Sequence, residues 1–344
     1  MKNAIIKYRK KEIILKREYL SKNYFMIKYV KYNLLFIIFI LLMFYLVTSF
    51  SLKIILNKES KLHLLFYKKD LKVCLCTLGK KENKYSREFV EHYKKYGIDK
   101  IIIYDNNDFG EEKFETVLSD YIKIKFIEIR NFRGKSRIQL KAMNDCYKNN
   151  YKIFDWFVMV DMDEFIFLKN VKNIKSFLGN KRFLKCYLIH LNRVFHTDNN
   201  QIYYKNISLF QRFPEIETKM ILVKSIIRGH IINIKINNQH VINKKYKACN
   251  GFGHFINERK KIFDYKYYYW DHFYFKSTEE FIEKINRGDC LFKQSKRLKF
   301  SKIQVYFSFN KITKEKIKLF EQKTGVNLDY FKKKLLKKIK ETKI

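Results

Sequence analysis

Two carboxylates one residue apart, Asp161 and Asp163, with Glu164 beside them, are the side chains of this sequence best suited to chemistry. They follow the apolar run Trp156 to Val160, so a strand would deliver them together to one end of a sheet. Carboxylates are hard oxygen ligands. A pair at this spacing can grip one divalent cation and leave positions for diphosphate oxygens. A cation so held would neutralise a leaving nucleoside diphosphate, the charge that develops when a sugar is transferred. An apolar strand followed by D-x-D also opens phosphohydrolases with an aspartyl nucleophile, here Asp161. Those want Thr or Val two residues after the second Asp, and this chain has Phe165. That alternative stays open here, as does a plain solvated turn or helix cap.

The elements that must position these groups are legible as an alternation. Val73 to Leu78 reads as a strand, and Tyr85, Phe89, Tyr93 and Tyr96 fall on one helical face that ends at Gly97. Lys100 to Tyr104 is a second strand, Glu111 to Leu118 a helix, and Ile122 to Ile129 a third strand. Ser136 opens another helix with Ile138, Ala142 and Cys146 on one side, and Trp156 to Val160 is the fourth strand. Fully apolar strands alternating with helices predict a mainly parallel α/β sheet covered on both faces, with ligands beyond the carboxyl ends of the strands. Asp105, ending the second strand, is placed to meet a nucleoside, and reads equally well as a turn former in Asp-Asn-Asn-Asp. Gln139 reads as forming a capping box with Ser136, S-x-x-Q, at a helix start. Past Asn170, the runs Phe183 to Leu191, Ile221 to Ile227 and Ile231 to Ile236 suggest the strands of an acceptor-side half. Two Lys-rich helices broken at Gly325 follow Lys311.

Composition limits the class of protein. There are 73 Lys+Arg against 34 Asp+Glu, a formal charge of +39, with 47% apolar residues, which excludes an acidic or disordered chain. The excess runs through the whole sequence, without a zinc-finger spacing, an RNP-like aromatic motif or a compact Arg-rich block, so a nucleic-acid partner is not expected; a noncatalytic basic membrane or nucleic-acid binder is the other alternative class. From Tyr32 to Leu52 no residue is charged, and Leu34 to Val47 is apolar without interruption. That predicts a single membrane-spanning helix, with the ten Lys/Arg of residues 1–31 on the cytoplasmic side. The organisation expected is a basic tail (1–31), an anchor (32–52), a stem (53–72), two halves of a catalytic domain (73–170 and 171–310) and C-terminal helices (311–344). Six cysteines without a C-x-x-C pair predict buried thiols with one bridge rather than a zinc site. Asn206-Ile207-Ser208 is an N-glycosylation sequon.

A wider set of residues resembles glycosyltransferase family 92: Cys76-Thr77, Lys81-Glu82-Asn83, Glu88-Phe89, His92-Tyr93, Gly97 to Lys100, Tyr104 to Asn107, Gln139, Asn144 to Cys146 and Asp161 to Phe165. Gln211 to Phe213, Lys224 to Arg228, His240, Asp271 to Ser277 and Lys284 to Asp289 continue it, over about residues 72–290. The resemblance implies a GT-A fold, a Rossmann-like mixed sheet flanked by helices. It further implies a nucleotide-sugar donor, here a UDP-sugar, with Mn²⁺ or another divalent metal, inversion at the anomeric carbon and a glycan or glycoconjugate acceptor. A single-pass type II membrane protein facing the Golgi or ER lumen goes with it. Under that resemblance Asp163 is the direct metal ligand, Asp161 a ribose or second metal contact, and His272 a further ligand. Asp105, Gln139 and Lys276 then meet the donor, and Glu82 supports its pocket. An inverting transfer needs a general base near the acceptor hydroxyl, for which Asp271 is the first candidate, with Glu217 and His240 behind it. At Leu191 to His196 the chain departs from the family's pattern, which leaves the acceptor open.

Overall fold

A computed structural model gives the fold for residues 33–34, 37–50, 70–218, 222–237, 245–256, 264–288 and 295–341. The chain divides into two units, Met1–Phe66 and Tyr67–Ile344. In the first, residues 37–50 form a helix whose large apolar side chains are exposed. Among the described residues no helix is long and apolar enough to cross a membrane. Residues 32, 35, 36, 51 and 52 of the predicted anchor lie outside the described residues.

The second unit is built on one mixed sheet of eleven strands. In chain order these are β1 (Val73–Gly79), β2 (Lys100–Asp105), β3 (Ile127–Asn131), β4 (Trp156–Met159), β5 (Glu164–Leu168), β6 (Leu188–His196), β7 (Ile216–Glu217), β8 (Val223–Arg228), β9 (Ala248–Asn250), β10 (Phe255–Ile256) and β11 (Tyr268–His272). The expected parallel half is present: β1 pairs in parallel with both β2 and β4, and β2 with β3. β8 then joins β4 and β6 antiparallel, and β11 lies parallel to β6 and antiparallel to β5. The result is an α/β fold with a mixed sheet flanked by helices.

Helix α1 (Asn83–Lys95) buries Tyr85, Phe89, Val90 and Tyr93, a single face at helical spacing, and Gly97 follows its end at φ 82°, where a Cβ would be strained. Its face packs with Val73, Leu75, Ile101 and Ile103 in one apolar cluster. On the other face of the sheet α2 (Gln139–Asn150) sets Ala142, Met143 and Cys146 against Cys74, Cys76 and Ile102. A third cluster joins Phe195 of β6 to α3 (Thr278–Arg287), α4 (Lys296–Phe309), α5 (Lys314–Thr324) and α6 (Asp329–Glu341). The two C-terminal helices do break at Gly325, which takes the left-handed conformation at φ 65°.

Three expectations are corrected. The stretch from Ile122 is not all strand, because Ser119–Lys123 is a helical turn that buries Tyr121, and β3 begins at Ile127. Residues 231–236 form turns and irregular backbone, with Ile236 buried as a plug on the α2 side of the sheet. The cysteines form two bridges, Cys76–Cys146 and Cys186–Cys249, and leave Cys74 as a buried thiol; Cys290 lies outside the described residues. Sequence spacing cannot show these pairings, which arise because α2 packs across β1 and because β9 runs beside β6.

Candidate active site at the strand ends

The turn between β4 and β5 carries Asp161, Met162 and Asp163. It closes on itself, since the Asp161 amide donates to Glu164 Oε2 at 3.0 Å. Met162 turns into the apolar core, and the two aspartates line a cavity of about 280 Å³ with Glu82, Gln139, Arg193, His272, Lys284 and Arg287. Six separate parts of the chain supply these residues: the loop after β1, α2, the β4–β5 turn, β6, β11 and α3.

Each carboxylate has a cation. Asp161 accepts from Gln139 Nε2 at 2.7 Å through Oδ1 and from Lys224 Nζ at 2.7 Å through Oδ2. Lys224 is fully buried and also reaches Glu164 at 2.9 Å, while Arg193 Nη1 donates to Glu164 at 3.1 Å. Burial works against ionising Glu164, but Lys224, His272 and Arg193 outweigh it and hold the carboxyl down to about 2. Asp163 accepts from Lys284 Nζ at 2.6 Å, and its other oxygen lies 3.4 Å from His272 Nε2. There too burial is outweighed, by Lys284, His272 and Lys276, so the carboxyl titrates well below its ordinary range. Glu82 is buried between Lys276 and Arg287, and those two cations keep its carboxyl low against the effect of burial. Lys276 holds this contact from a left-handed backbone at φ 54°, rare for a residue with a side chain.

His272 is buried, and burial, opposed by Asp163, lowers its pKa and favours the neutral ring. Its Nδ1 has no hydrogen-bond partner. A neutral imidazole nitrogen facing a carboxylate oxygen at 3.4 Å is close to the separation of about 3 Å expected between neighbouring ligands of an octahedral ion with bonds near 2.1 Å. The oxygen and nitrogen donors of Asp163 and His272 therefore fit a divalent cation such as Mn²⁺. Asp161 does not close on them. Among the described residues the one trio of ligating side chains drawn within 4.8 Å is Cys74, Cys76 and Cys146, two of which are already bridged.

The expected site residues separate clearly. Gln139, Asp161, Asp163 and His272 meet at the cavity, and Lys276 borders a small adjoining recess with Lys84 and Glu283. Gln139 thus spends its amide on Asp161; Ile138 stands at the helix start without a side-chain cap, so the capping box with Ser136 is not formed. Asp105 sits beneath the floor. It binds Arg133 at 2.7 Å and the Asn107 amide at 2.9 Å, which shapes the loop and leaves Asn106 on the cavity wall. Asp271 precedes His272 on β11, so its side chain leaves the strand on the opposite side, where His196 binds it. It does not line the cavity, and neither does Glu217 on β7. His240 lies outside the described residues. The sequence did not single out Arg193, Lys224 or Lys284 as site residues. A single cation inside each mostly apolar run, Leu191 to Phe195 and Ile221 to Ile227, was the available signal for the first two.

The site is thus a cleft of paired carboxylates and cations beyond the strand ends of a mixed α/β sheet. The sequence pattern of glycosyltransferase family 92 matches residues 69–323, and the chain belongs to that family. It is 25% identical over 109 residues to a glycosyltransferase family 92 protein of Ricinus communis, a stretch that is 32% of this chain and 19% of that protein. A second family 92 protein, from Oryza sativa subsp. japonica, is 22% identical over 108 residues, 31% of this chain and 18% of its own length. The matched stretch thus spans about a fifth of these relatives. Among solved structures, S. aureus TarS 1–349 in complex with UDP is similar at 15% identity and a TM-score of 0.35, covering 74% of this chain and 81% of that one. A mannosyltransferase, PcManGT from Pyrobaculum calidifontis, in complex with GDP-Man and Mn²⁺, is similar at 10% identity and a TM-score of 0.28, over 40% and 44%.

Proposed function

We propose that the protein is a membrane-anchored, metal-dependent inverting glycosyltransferase of GT-A type that moves a sugar from a UDP-sugar to a glycan or glycoconjugate acceptor. One observation carries the reading: Asp163 and His272, 3.4 Å apart, face a cavity whose other wall is cationic. Asp163 and His272 would hold the divalent metal, with Asp161 oriented beside them by Gln139 and Lys224. The metal supplies charge stabilisation for the departing diphosphate. Lys284 and Arg287 add positive charge on the same side, in a cleft partly closed to water where such charge acts more strongly. The phosphohydrolase alternative is disfavoured because both Asp161 oxygens are engaged by Gln139 and Lys224.

Of the three residues expected to act as base, Asp271 and Glu217 lie off the cavity, which leaves His240 to be tested by substitution. Membrane anchoring rests on the uncharged stretch Tyr32 to Leu52, and orientation toward a Golgi or ER lumen on the basic residues before it. The deciding experiment is a donor-hydrolysis screen of the full chain in detergent over common nucleotide sugars, with and without Mn²⁺. Mn²⁺-dependent release of UDP from one donor is expected. Phosphate release without sugar transfer would favour the phosphohydrolase, and release of the chain from membranes by carbonate would remove the anchor.

A further inference from the structure

The cations around the site are not equivalent in how they are held. Lys224 bridges two carboxylates with its side chain 0% exposed, and Arg193 is 8% exposed. Lys276 is 7% and Arg287 14% exposed, and both close on Glu82. Of these five Lys284 is the most accessible, at 23%, and has a single carboxylate partner, Asp163. Its ammonium also donates to the Tyr274 carbonyl at 3.2 Å and lies 4.1 Å from the centre of the Tyr274 ring, a seat at the cavity wall. It rises from α3, whose start is fixed by the capping box of Ser277 and Glu280 and whose buried face includes Phe281 and Ile285. The backbone under Lys284 is therefore rigid, while its four-carbon stem can reposition.

At 2.6 Å from Asp163, the ammonium occupies one of the directions from which that carboxylate would bind a cation. A buried carboxylate left without any positive partner is strongly disfavoured, so some cation must stay with Asp163 before a metal arrives. We propose that Lys284 is an exchangeable counter-ion: it neutralises Asp163 in the metal-free enzyme, and on entry of a divalent cation its ammonium moves to the diphosphate of the nucleotide donor. The inference rests on the nucleotide-sugar reading above and assigns Lys284 two successive anionic partners. No covalent bond changes, and the charge stays balanced because the metal replaces the ammonium on Asp163 as the diphosphate gains it. Metal and Lys284 then compete when donor is absent and cooperate when it is present.

The test uses the full chain in detergent, as wild type, Lys284→Met and Lys284→Arg, with Mn²⁺ alone and then UDP with saturating Mn²⁺. Binding of Mn²⁺ is followed by the electron paramagnetic resonance signal of the free ion, and binding of UDP by calorimetry. Lys284→Met is expected to bind Mn²⁺ alone about tenfold more tightly than wild type and UDP about tenfold more weakly, with Lys284→Arg restoring both. Unchanged or weaker Mn²⁺ binding in Lys284→Met overturns the exchange, as does UDP affinity independent of residue 284. If wild type binds no UDP, the nucleotide-sugar reading fails separately, and the Mn²⁺ comparison still decides whether Lys284 guards Asp163. Absence of Mn²⁺ binding in all three proteins overturns the proposal. Should Lys284→Met not fold, Lys284→Gln provides the same comparison.

Discussion

His196 Nε2 lies 2.8 Å from Asp271 Oδ1, and the other nitrogen of the same ring lies 2.5 Å from the Phe213 carbonyl. The ring is thus held from both sides, and it stacks on Phe273 with 4.1 Å between ring centres. Asp271 is thereby a buried structural partner of β6, turned away from the strand-end cavity.

Replacing Asp271 should consequently affect folding before turnover. Asp271→Asn leaves His196 with a weaker acceptor, and we expect a loss of about 1–3 kcal/mol in stability. Transfer per folded molecule should stay within about tenfold of wild type. An unchanged melting temperature with a rate loss of the 10²–10⁴-fold size typical of a removed base would return Asp271 to the reaction.

Asp163→Asn should do the reverse. The carboxylate is buried against Lys284 and His272, yet the apolar sheet beneath it is untouched. Mn²⁺-dependent donor hydrolysis should fall by at least about a hundredfold, while near-ultraviolet circular dichroism stays that of the wild type. Retained activity would remove Asp163 as a ligand.

His92 gives a pH-dependent stability whose sign can be worked out. Burial, partly opposed by the hydrogen bond to the Ile166 carbonyl, lowers this imidazole from 6.5 to about 4 in the folded protein. The unfolded chain takes up the proton first as pH falls. The contribution is therefore complete above pH 6.5 and is lost progressively down to about pH 4, by at most about 3 kcal/mol and less because the ring is only half-buried. Urea titrations between pH 7 and pH 4 should show a shallower dependence for His92→Gln than for wild type. Equal slopes would show that His92 titrates normally.

The bridges can be read directly. Alkylation in denaturant without reductant should label Cys74 and none of Cys76, Cys146, Cys186 and Cys249, and peptide mapping should return the pairs 76–146 and 186–249. With partners separated by 70 and 63 positions in sequence, each bridge is expected to contribute about 4 kcal/mol in the chain-entropy treatment. A strong fall in melting temperature on full reduction is the corresponding stability measurement.

How much of this was legible follows from what each element depends on. The strands β1, β2 and β4 are runs of apolar residues buried on both sides, and the face of α1 repeats at helical spacing, so local pattern sufficed. The aspartates after β4 were legible for the same reason, since a strand end fixes where they go. The cationic half was not. Lys284 sits on α3 beside Phe281 and Ile285, and nothing in that spacing tells that its ammonium meets Asp163 rather than solvent. The separation of Asp271 from His272 needed the placement of β11 between β5 and β6, which no local pattern contains.

The distribution of the site along the chain also sets the order in which its charges appear during synthesis. Asp161, Asp163 and Glu164 emerge together, Arg193 follows Glu164 by 29 residues, and Lys284 follows Asp163 by 121. At about 5–20 residues per second, Asp163 waits roughly ten seconds for its lysine. During that interval the carboxylate of Asp163 is still hydrated rather than buried, so its need for a protein cation arises only as α3 packs against the turn and brings Lys284 with it.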